Sequence, residues 1–522
     1  MQQFRILWVD DEIDLLKPHI LFLEKKGYAV VPVNSGSDAL EQVIEQGPFD
    51  IVFLDENMPG MSGLETLEKL KRSHPTLPVV MITKSEEEHI MEEAIGAQIA
   101  DYLIKPLNPS QILLSVKKLL ENKRLVTERT NMSYQQEFRN IAMAFGDDLD
   151  HQQWSELYQK LVYWELAMDQ AEEGGMGEVL DMQKSEANNN FTKFVMDEYP
   201  HWLSPKGTED APLLSHQVLR KKVFPLLSDD TPVFLVVIDN LRLDQWKVLQ
   251  PQIAELFNLE EESLYYSILP TTTAYARNAL FSGLLPDEMA RRHKDWWVGE
   301  DDDGGKNLKE EEFLGSNLKR ANLDHVKYSY HKVLNAQQGR NVLDQLPNLM
   351  SNGLNAMVYN FVDMLSHART DMEMIRELAP DESAYRSLTQ SWFAHSPLLE
   401  ALRWLAQRKV RVVITTDHGT IRVKRPFKIV GDRSVNTNLR YKQGKNLGYD
   451  DQNIFSAYKP EEFHLPKPNL STTFVFAIED YFFAYPNNYN HYVKFYRDTF
   501  QHGGVSLEEM IIPIISLTSK NG

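Results

Sequence analysis

Charged and hydroxyl side chains follow short apolar runs in the first part of the chain, where they could hold a cation and accept a phosphoryl group. Asp10 and Asp11 follow the first apolar run, Asp55 the third, Thr83 the fourth and Lys105 the fifth. The carboxyl ends of parallel strands meet at one edge of a sheet. We therefore expect these five side chains to converge on one site.

The residue types indicate phosphoryl chemistry. Three carboxylates at one point repel each other unless a cation lies between them. Mg²⁺ takes carboxylate and phosphate oxygens together, so we expect Asp10, Asp11 and Asp55 to hold magnesium. Asp55 could then attack a phosphoryl group as a nucleophile, which makes it the predicted phosphorylation site. Lys105 would balance the new charge, and Thr83 would hydrogen-bond a phosphoryl oxygen.

Five apolar runs separated by amphipathic stretches must position these side chains. This alternation predicts a doubly wound parallel α/β sheet, and a helical period predicts a helix from about Pro109 to Arg129. The five runs are Ile6–Val9, Ala29–Val31, Ile51–Leu54, Val79–Ile82 and Tyr102–Ile104.

This region resembles the response-regulator receiver family. The matching stretches are Ile6–Glu12, Leu54–Gly63 and Lys105-Pro106. The resemblance assigns residues 1–122 to a receiver domain, phosphorylated by a cognate sensor histidine kinase. Tyr102 is placed to swing inward once Thr83 moves, so Thr83, Tyr102 and Lys105 form the expected switch. We also expect a cis bond before Pro106, which would position the lysine.

A second set of ligand-type side chains follows strands in the last 310 or so residues, a length that suits one large α/β domain. Asp363 and His367 lie four residues apart, so one helical turn aligns them. Carboxylate and imidazole groups suit two zinc ions in a site for phosphoryl transfer. The six side chains are Asp239, Asp363, His367, Asp417, His418 and His502.

A run of three threonines supplies candidate nucleophiles. Thr271, Thr272 and Thr273 precede a helical stretch, and free N–H groups at a helix start stabilise an anion. A zinc ion would lower the pKa of a bound hydroxyl and so activate it. Arg277 and Asn278 lie nearby and are candidate phosphate contacts.

The second set resembles the alkaline phosphatase superfamily, in particular its PglZ branch. The resemblance implies that one zinc takes Asp363, His367 and His502. It implies that the other takes Asp239, Asp417, His418 and the threonine hydroxyl. The Pro-Thr-x-Thr pattern of the family favours Thr271, directly after Pro270, as the catalytic residue, with Thr273 and Thr272 as alternatives.

The segment between these regions predicts three domains in all. Residues 123–204 read as a helical bundle without a strand, with Trp154, Leu157, Leu161 and Trp164 at helical spacing. The composition of Ser204 to Thr208 indicates a linker, so the PglZ domain is assigned to residues 205–522. This arrangement resembles the PorX-type response regulators, a family tied to type IX secretion.

Composition excludes some function classes. The net charge is -20 and the pI about 5.3, which disfavours binding to duplex DNA. No helix-turn-helix or zinc-finger pattern is found. The chain has no cysteine, so any metal must be held by oxygen or imidazole ligands. No apolar run is long enough to span a membrane, and the N-terminus lacks a signal sequence, so we expect a cytoplasmic protein.

These observations predict a phosphorylation-controlled zinc phosphodiesterase. The resemblance implies nucleotide-type phosphodiesters or short oligonucleotides, cyclic or linear, as substrates. The alternative is a signalling adaptor with a structural zinc site and a protein partner, such as a sigma factor or a secretion-system component. We expect phosphorylation to produce a homodimer through the Thr83–Tyr102 face. The physiological substrate, the cognate kinase and the output that phosphorylation controls, catalysis or dimerisation, do not follow from the sequence.

Overall fold

The computed structural model divides the chain into two compact units, described separately below. The first comprises residues 1–135 and 171–173, and the second residues 136–170 and 174–522. The structure describes residues 4–84, 99–145, 148–171, 176–204, 210–228, 231–299, 302, 304–431, 436–445, 447–450 and 454–520.

The first unit contains a five-stranded parallel sheet of order β2-β1-β3-β4-β5. This strand order is that of the doubly wound fold, as predicted. The strands are β1 Arg5–Val9, β2 Ala29–Val33, β3 Ile51–Asp55, β4 Val79–Thr83 and β5 Asp101–Ile104. The helices that begin in this region are α1 Lys17–Lys25, α2 Gly36–Gln46, α3 Gly63–Ser73 and α4 Pro109–Ala144. Helix α4 therefore continues well past Arg129, its predicted end.

Both faces of this sheet are covered, which explains the continuous apolar runs. Leu7 and Leu54 pack on one face, whereas Trp8 and Phe53 pack on the other. All four side chains are fully buried. The sheet is thereby fixed between two helical layers, and its carboxyl edge is rigid enough to hold a site.

The start of α3 is built against the end of β3. Ser62 caps the helix by accepting a hydrogen bond from the backbone N–H of Glu65 at 3.2 Å, and the Glu65 carboxylate accepts one from the N–H of Ser62 at 3.1 Å. A Cβ at Gly63 would lie 2.3 Å from the carbonyl oxygen of Asp55. Only glycine permits this approach, which fixes the loop after Asp55.

Two further helices follow α4 in the sequence, α5 His151–Ala171 and α6 Gly177–Leu203. The four side chains predicted at helical spacing on α5, from Trp154 to Trp164, are all buried. Trp154 packs edge-on against Phe191 of α6, with 5.4 Å between the ring centroids. An aromatic seam therefore holds the two helices together.

The large α/β region contains a six-stranded sheet of order β7-β18-β10-β6-β9-β8. Strands β10, β6, β9 and β8 are parallel, whereas β18 and β7 pair antiparallel at one edge. Three small sheets carry the other strands. The strands are β6 Val233–Ile238, β7 Phe257–Tyr266, β8 Tyr328–Val333, β9 Leu354–Tyr359, β10 Arg411–Thr415, β11 Ile421–Arg422, β12 Arg425–Lys428, β13 Tyr441–Lys445, β14 Ile454–Ala457, β15 Thr472–Ala477, β16 Tyr481–Ala484, β17 Phe500–Gln501 and β18 Ile511–Ser519.

Helices cover this sheet and carry part of the candidate site. Helix α12, Phe361–Asp371, follows β9 directly, and helix α17, Leu507–Met510, leads into β18. The helices are α7 Leu243–Leu256, α8 Asn278–Ser282, α9 Pro286–Arg292, α10 Glu310–Arg320, α11 Ala336–Leu349, α12 Phe361–Asp371, α13 Glu373–Leu378, α14 Glu382–Ala394, α15 Pro397–Leu405, α16 Tyr489–Tyr496 and α17 Leu507–Met510.

Candidate active site

The carboxyl edge of the first sheet gathers the predicted acidic side chains. Asp10 follows β1, Asp55 ends β3, and both are buried, whereas Asp11 is exposed. Lys105 reaches both buried carboxylates, with its Nζ 2.8 Å from Asp55 Oδ1 and 2.9 Å from Asp10 Oδ2. Oxygens of the three aspartates lie within 4.8 Å of one another. The predicted residues therefore converge, and the Lys105–Pro106 bond is cis as expected.

The electrostatics of this cluster suit a bound cation. Burial raises the pKa of Asp55, and repulsion from Asp10 and Asp11 adds to that rise, while Lys105 opposes it. Burial also disfavours the charged Lys105, but hydrogen bonds to Asp55 and Asp10 outweigh it and raise its pKa. One ammonium thus faces three carboxylates. A divalent ion would remove the remaining repulsion and free an Asp55 oxygen for attack.

The expected switch residues lie where they could move. Tyr102 lies on β5, the last strand at one side of the sheet, and is 40% exposed. The Thr83 hydroxyl donates a hydrogen bond to the carboxylate of Glu56, the residue directly after Asp55. Glu56 is itself buried. It was not among the predicted site residues, because its partner Thr83 lies 27 residues away in the sequence.

Glu56 is expected to oppose activation by holding the Thr83 hydroxyl. A hydrogen bond to a charged group contributes about 1.5 kcal/mol, so Glu56→Ala should strengthen binding of the phosphoryl mimic beryllofluoride about tenfold. Glu56→Gln, which keeps an acceptor, should change it little. Isothermal titration of the full chain with Mg²⁺ present measures the affinity. If Glu56→Ala has the same effect in a Thr83→Ala background, the hydrogen bond is not the cause.

In the large domain, the ligand-type residues also follow the strands of the sheet. Asp239 follows β6, and Asp417 and His418 follow β10. Asp363 and His367 lie one turn apart on α12, which begins two residues after β9. The neighbouring strands β10, β6 and β9 are parallel, so their carboxyl ends bring these residues together. The sixth residue, His502, follows β17.

The six side chains form two adjacent groups of three. Ligand atoms of Asp363, His367 and His502 lie within 4.8 Å of one another, as do those of Asp239, Asp417 and His418. The rings of His418 and His502 stack with 4.3 Å between their centroids, which joins the groups. These are the two triads that the family resemblance implied.

Two histidines are oriented by the backbone. His418 Nδ1 lies 3.1 Å from the carbonyl oxygen of Gly419, and His502 Nδ1 lies 3.2 Å from that of Thr271. A carbonyl oxygen only accepts, so each Nδ1 must carry a proton, and each Nε2 is directed at the carboxylates of the site. This arrangement is typical of histidines that bind a metal through Nε2. His367, by contrast, is exposed.

Thr273 is the threonine whose hydroxyl lies among the ligands. Its Oγ1 is 3.1 Å from His418 Nε2 and 3.3 Å from Asp239 Oδ1. The Thr271 hydroxyl instead donates to the Gly504 carbonyl at 2.9 Å and accepts from the Gly503 N–H at 3.0 Å. The structure therefore does not bring the hydroxyl of Thr271, the favoured candidate, to the ligands, although its carbonyl contacts His502. Thr272 is buried, and its hydroxyl has no hydrogen bond to any described residue.

Arg277 and Asn278 are not placed to contact a substrate phosphate. Arg277 is fully buried and donates to Asp239 Oδ2 at 2.6 Å and to the Glu310 carboxylate. Asn278 donates to the carbonyls of Ala274 and Lys306. The prediction of two phosphate contacts is corrected accordingly. Arg277 is an internal counter-ion that fixes an Asp239 oxygen.

Two asparagines that the sequence did not single out complete the site. Asn360 Nδ2 donates to Asp239 Oδ2 at 2.6 Å, and Asn240 Nδ2 lies 3.3 Å from Asp363 Oδ1. Asn240 has a positive φ of 66°, which turns the chain sharply after β6. The sequence signals that could have indicated them are the position of Asn240 directly after Asp239 and that of Asn360 directly before α12.

The electrostatics of the two triads differ. Burial raises the pKa of Asp239 well above its ordinary value, although Arg277 opposes the shift. Burial also disfavours the charged Asp363, but its hydrogen bond with His502 holds the pKa of Asp363 well below the ordinary value. Burial lowers the pKa of His418 to about 4, so this imidazole is neutral at pH 7, as a metal ligand must be.

Removing the Arg277 charge should destabilise the fold strongly. Arg277→Met would leave Asp239 buried without its cation and Glu310 paired with Lys332 alone, which costs about 3 to 5 kcal/mol. Urea unfolding of the full chain with a chelator present measures the midpoint of the transition. Arg291→Met is the control, because Arg291 is 68% exposed on α9. Equal midpoints for the two variants would show that the buried pairs contribute no net stability.

Comparisons with known families follow the same three regions. A model of the BREX system PglZ alkaline phosphatase-like domain matches residues 218–517, more than half of the chain. The chain belongs to the PglZ family. The PorX response regulator linker domain matches residues 124–203, and the response regulator receiver domain matches residues 6–117. A receiver, this linker and a PglZ domain together make the chain a PorX-type response regulator.

Two curated relatives each match about a quarter of this chain. The alginate biosynthesis regulatory protein AlgB of Pseudomonas putida is 37% identical over 123 residues, which are 24% of this chain and 27% of AlgB. The regulatory protein ResD of Bacillus subtilis is 29% identical over 147 residues, or 28% of this chain and 59% of ResD. The chain thus spans about a quarter of AlgB and under two thirds of ResD.

Two solved receiver structures each match somewhat less than a quarter of this chain. The receiver domain of NtrX from Brucella abortus is 31% identical, with 22% of this chain and 98% of that chain covered and a TM-score of 0.21. A receiver protein from Methanospirillum hungatei is 30% identical, with 23% and 96% covered and a TM-score of 0.22. A receiver implies a sensor kinase as partner, and receiver and alkaline phosphatase-like domains generally use metal ions. Among the described residues, no helix has both the length and the apolar character needed to cross a membrane.

Proposed function

We propose that this response regulator is a zinc-dependent phosphodiesterase controlled by phosphorylation of Asp55. The observation that supports this most strongly is the position of Thr273 Oγ1, within 3.3 Å of ligand atoms of both His418 and Asp239. A hydroxyl between an imidazole and a carboxylate that are themselves oriented is arranged as a nucleophile. The triad of Asp363, His367 and His502 lies beside this one, because the ring of His502 stacks on that of His418.

The chain's own residues fit two zinc ions. Three carboxylates and three imidazoles are the oxygen and nitrogen ligands that zinc prefers when no thiolate is present. Asp417 Oδ2 is fully buried and has no hydrogen bond to any described residue, which suits an oxygen that binds a cation. Zinc bound here would acidify the threonine hydroxyl and offset charge on the phosphoryl oxygens. Magnesium would be held by Asp10, Asp11 and Asp55 in the receiver.

The residues define the order of bond changes. Thr273 Oγ loses its proton and forms a bond to phosphorus, while the bond from phosphorus to one ester oxygen breaks and that oxygen leaves as an alcohol. A water molecule then attacks the phosphothreonine, releases the phosphomonoester and returns the threonine hydroxyl. Arg277 and Asn360 hold the Asp239 carboxyl group in its orientation throughout.

The substrate class we propose is a nucleotide-type phosphodiester, cyclic or linear, or a short oligonucleotide. The biological setting we propose is regulation of type IX secretion, with a cognate sensor kinase as the phosphate source. A sigma factor or a secretion-system component is the proposed protein partner. Each of these rests on the family resemblance rather than on a contact in the structure.

The test is turnover of bis(p-nitrophenyl) phosphate by zinc-loaded full chain, with a chelated sample beside it. The proposal predicts release of p-nitrophenol that stops on chelation and returns with zinc. The adaptor alternative with a structural zinc site is favoured instead if chelation unfolds the protein and the zinc-loaded protein shows no turnover at any zinc concentration.

Phosphorylation is expected to produce a homodimer through the face that carries Thr83 and Tyr102. Beryllofluoride with Mg²⁺ should shift the full chain to twice its mass in light scattering coupled to size-exclusion chromatography. Asp55→Ala should stay at the unshifted mass under the same conditions. Equal masses for the two proteins would contradict the prediction.

A further inference from the structure

The short helix α17 and its N-cap, residues 506–510, contact both loops that carry the buried histidine ligands. The Gly419 N–H donates to the Glu509 carbonyl at 3.1 Å, and the Gly504 N–H donates to Glu509 Oε1 at 2.9 Å. These glycines lie one residue after His418 and two residues after His502. We call residues 506–510 the support turn. Any shift of this turn moves both loops.

The backbone of the support turn packs closely against the loop that carries His418. A Cβ at Gly419 would lie 1.9 Å from the carbonyl oxygen of Glu508. Glu509 is fully buried and is held by Arg440, whose Nη2 and Nε lie 2.7 and 3.2 Å from its two oxygens. The turn is therefore held closely against both loops, so a contact made to it from another element acts on both.

Asn188 on linker helix α6 makes such a contact. Its Nδ2 donates to Glu508 Oε2 at 3.0 Å, and its Oδ1 accepts from the Leu507 N–H at 2.8 Å. Asn188 is buried, and its partners lie about 320 residues away in sequence. Its neighbour Asn189 adds a second contact, a hydrogen bond of 2.9 Å to Glu479. An amide is the group that donates to a carboxylate and accepts from a backbone N–H at once.

We propose that Asn188 is a positioning residue for the metal site, through which the linker controls how His418 and His502 bind zinc. The proposal rests on the proposed function only in taking these histidines as metal ligands. Asn188 contacts neither substrate nor metal. Its effect passes from α6 to the support turn and from there to both loops. The linker is thereby a working part of the metal centre rather than a spacer.

The test uses Co²⁺ as a spectroscopic substitute for zinc in the full chain. Asn188→Leu should weaken Co²⁺ affinity about tenfold, the lower end of what a residue supporting a ligand contributes. It should also change the visible absorption of the bound ion. Asn188→Asp should act similarly, because it sets a carboxylate against Glu508. Adding Glu508→Gln to Asn188→Asp restores the hydrogen bond with donor and acceptor exchanged, so this pair should recover both affinity and spectrum.

The outcomes are distinct. Wild-type affinity and spectrum in Asn188→Leu would overturn the proposal, and so would an exchanged pair that binds Co²⁺ as weakly as Asn188→Asp alone. If Asn188→Leu fails to fold by circular dichroism, the comparison of Asn188→Asp with the exchanged pair decides. If the metal affinities follow the expected order but no variant, nor the wild type, hydrolyses a phosphodiester, the phosphodiesterase proposal fails and the positioning role stands.

Discussion

Replacing Thr273 by valine is expected to lower phosphodiester turnover about 10⁴-fold or more, the effect of removing a nucleophile. Valine keeps the shape of threonine, so the site should stay packed while the hydroxyl beside His418 and Asp239 is lost. Zinc content should remain near the wild-type value, because all six side-chain ligands are retained. The rate of p-nitrophenol release from the full chain gives the measurement.

Two variants separate the role of the hydroxyl from that of its surroundings. Thr273→Ser keeps a hydroxyl and should lose only about tenfold. Thr271→Val removes the hydrogen bonds to Gly503 and Gly504, so turnover should fall while acid-quenched protein still carries phosphate on Thr273. Peptide mapping of the quenched protein locates the phosphate. Phosphothreonine at Thr271, or full activity in Thr273→Val, would contradict the assignment.

Loss of His418 should abolish activity through loss of a metal. His418 is fully buried with its Nε2 fixed toward Asp239 and Asp417, at 3.7 Å from each. His418→Ala should reduce zinc from two equivalents to one and lower turnover about 10³-fold, which corresponds to about 4 kcal/mol of transition-state stabilisation. Elemental analysis of the full chain, together with the rate assay, measures both quantities.

His367→Ala should remove zinc from the other triad and lower turnover similarly. His367 is exposed, so the apo fold should be unaffected. His395→Ala is the control, because His395 is also exposed and its ring hydrogen-bonds only to the carbonyl of Ser391 among described residues. Two zinc equivalents in either His418→Ala or His367→Ala would show that the altered histidine is not a ligand.

Strand ends explain why so much of both sites could be predicted. A charged residue directly after a buried apolar run, as with Asp55 and Asp239, lies at the carboxyl edge of a parallel sheet by geometry alone. Asp363 and His367 needed only the helical period. The edge strands β7 and β8 were not predicted, since their partly exposed residues lack a continuous apolar run.

The choice among three threonines depended on tertiary contacts. Thr271 is turned toward Gly503 and Gly504, more than 230 residues away in sequence. Thr272 is extended, and a π-helical turn begins at Thr273, which directs the Thr273 hydroxyl to the ligands. A local pattern cannot distinguish these directions, because all three residues have the same side chain and lie next to one another in the sequence.

The buried side chains that contact the ligands could not be predicted from the sequence either. Arg277 read as a substrate contact because a cation near a phosphoryl site usually binds phosphate. Its partner Glu310 lies 33 residues later in the sequence, so no local pattern indicates the pair. Glu56 and Asn188 likewise acquire their roles from partners brought close by folding. Side chains that support a site are thus harder to predict than those that form it.

The most direct test of a two-zinc phosphodiesterase is the rate of bis(p-nitrophenyl) phosphate hydrolysis as zinc is titrated into metal-free full chain. Two triads with the nucleophile beside one of them predict little turnover at one equivalent and a steep rise as the second binds. Zinc bound to two equivalents without hydrolysis at any point of the titration would contradict the account.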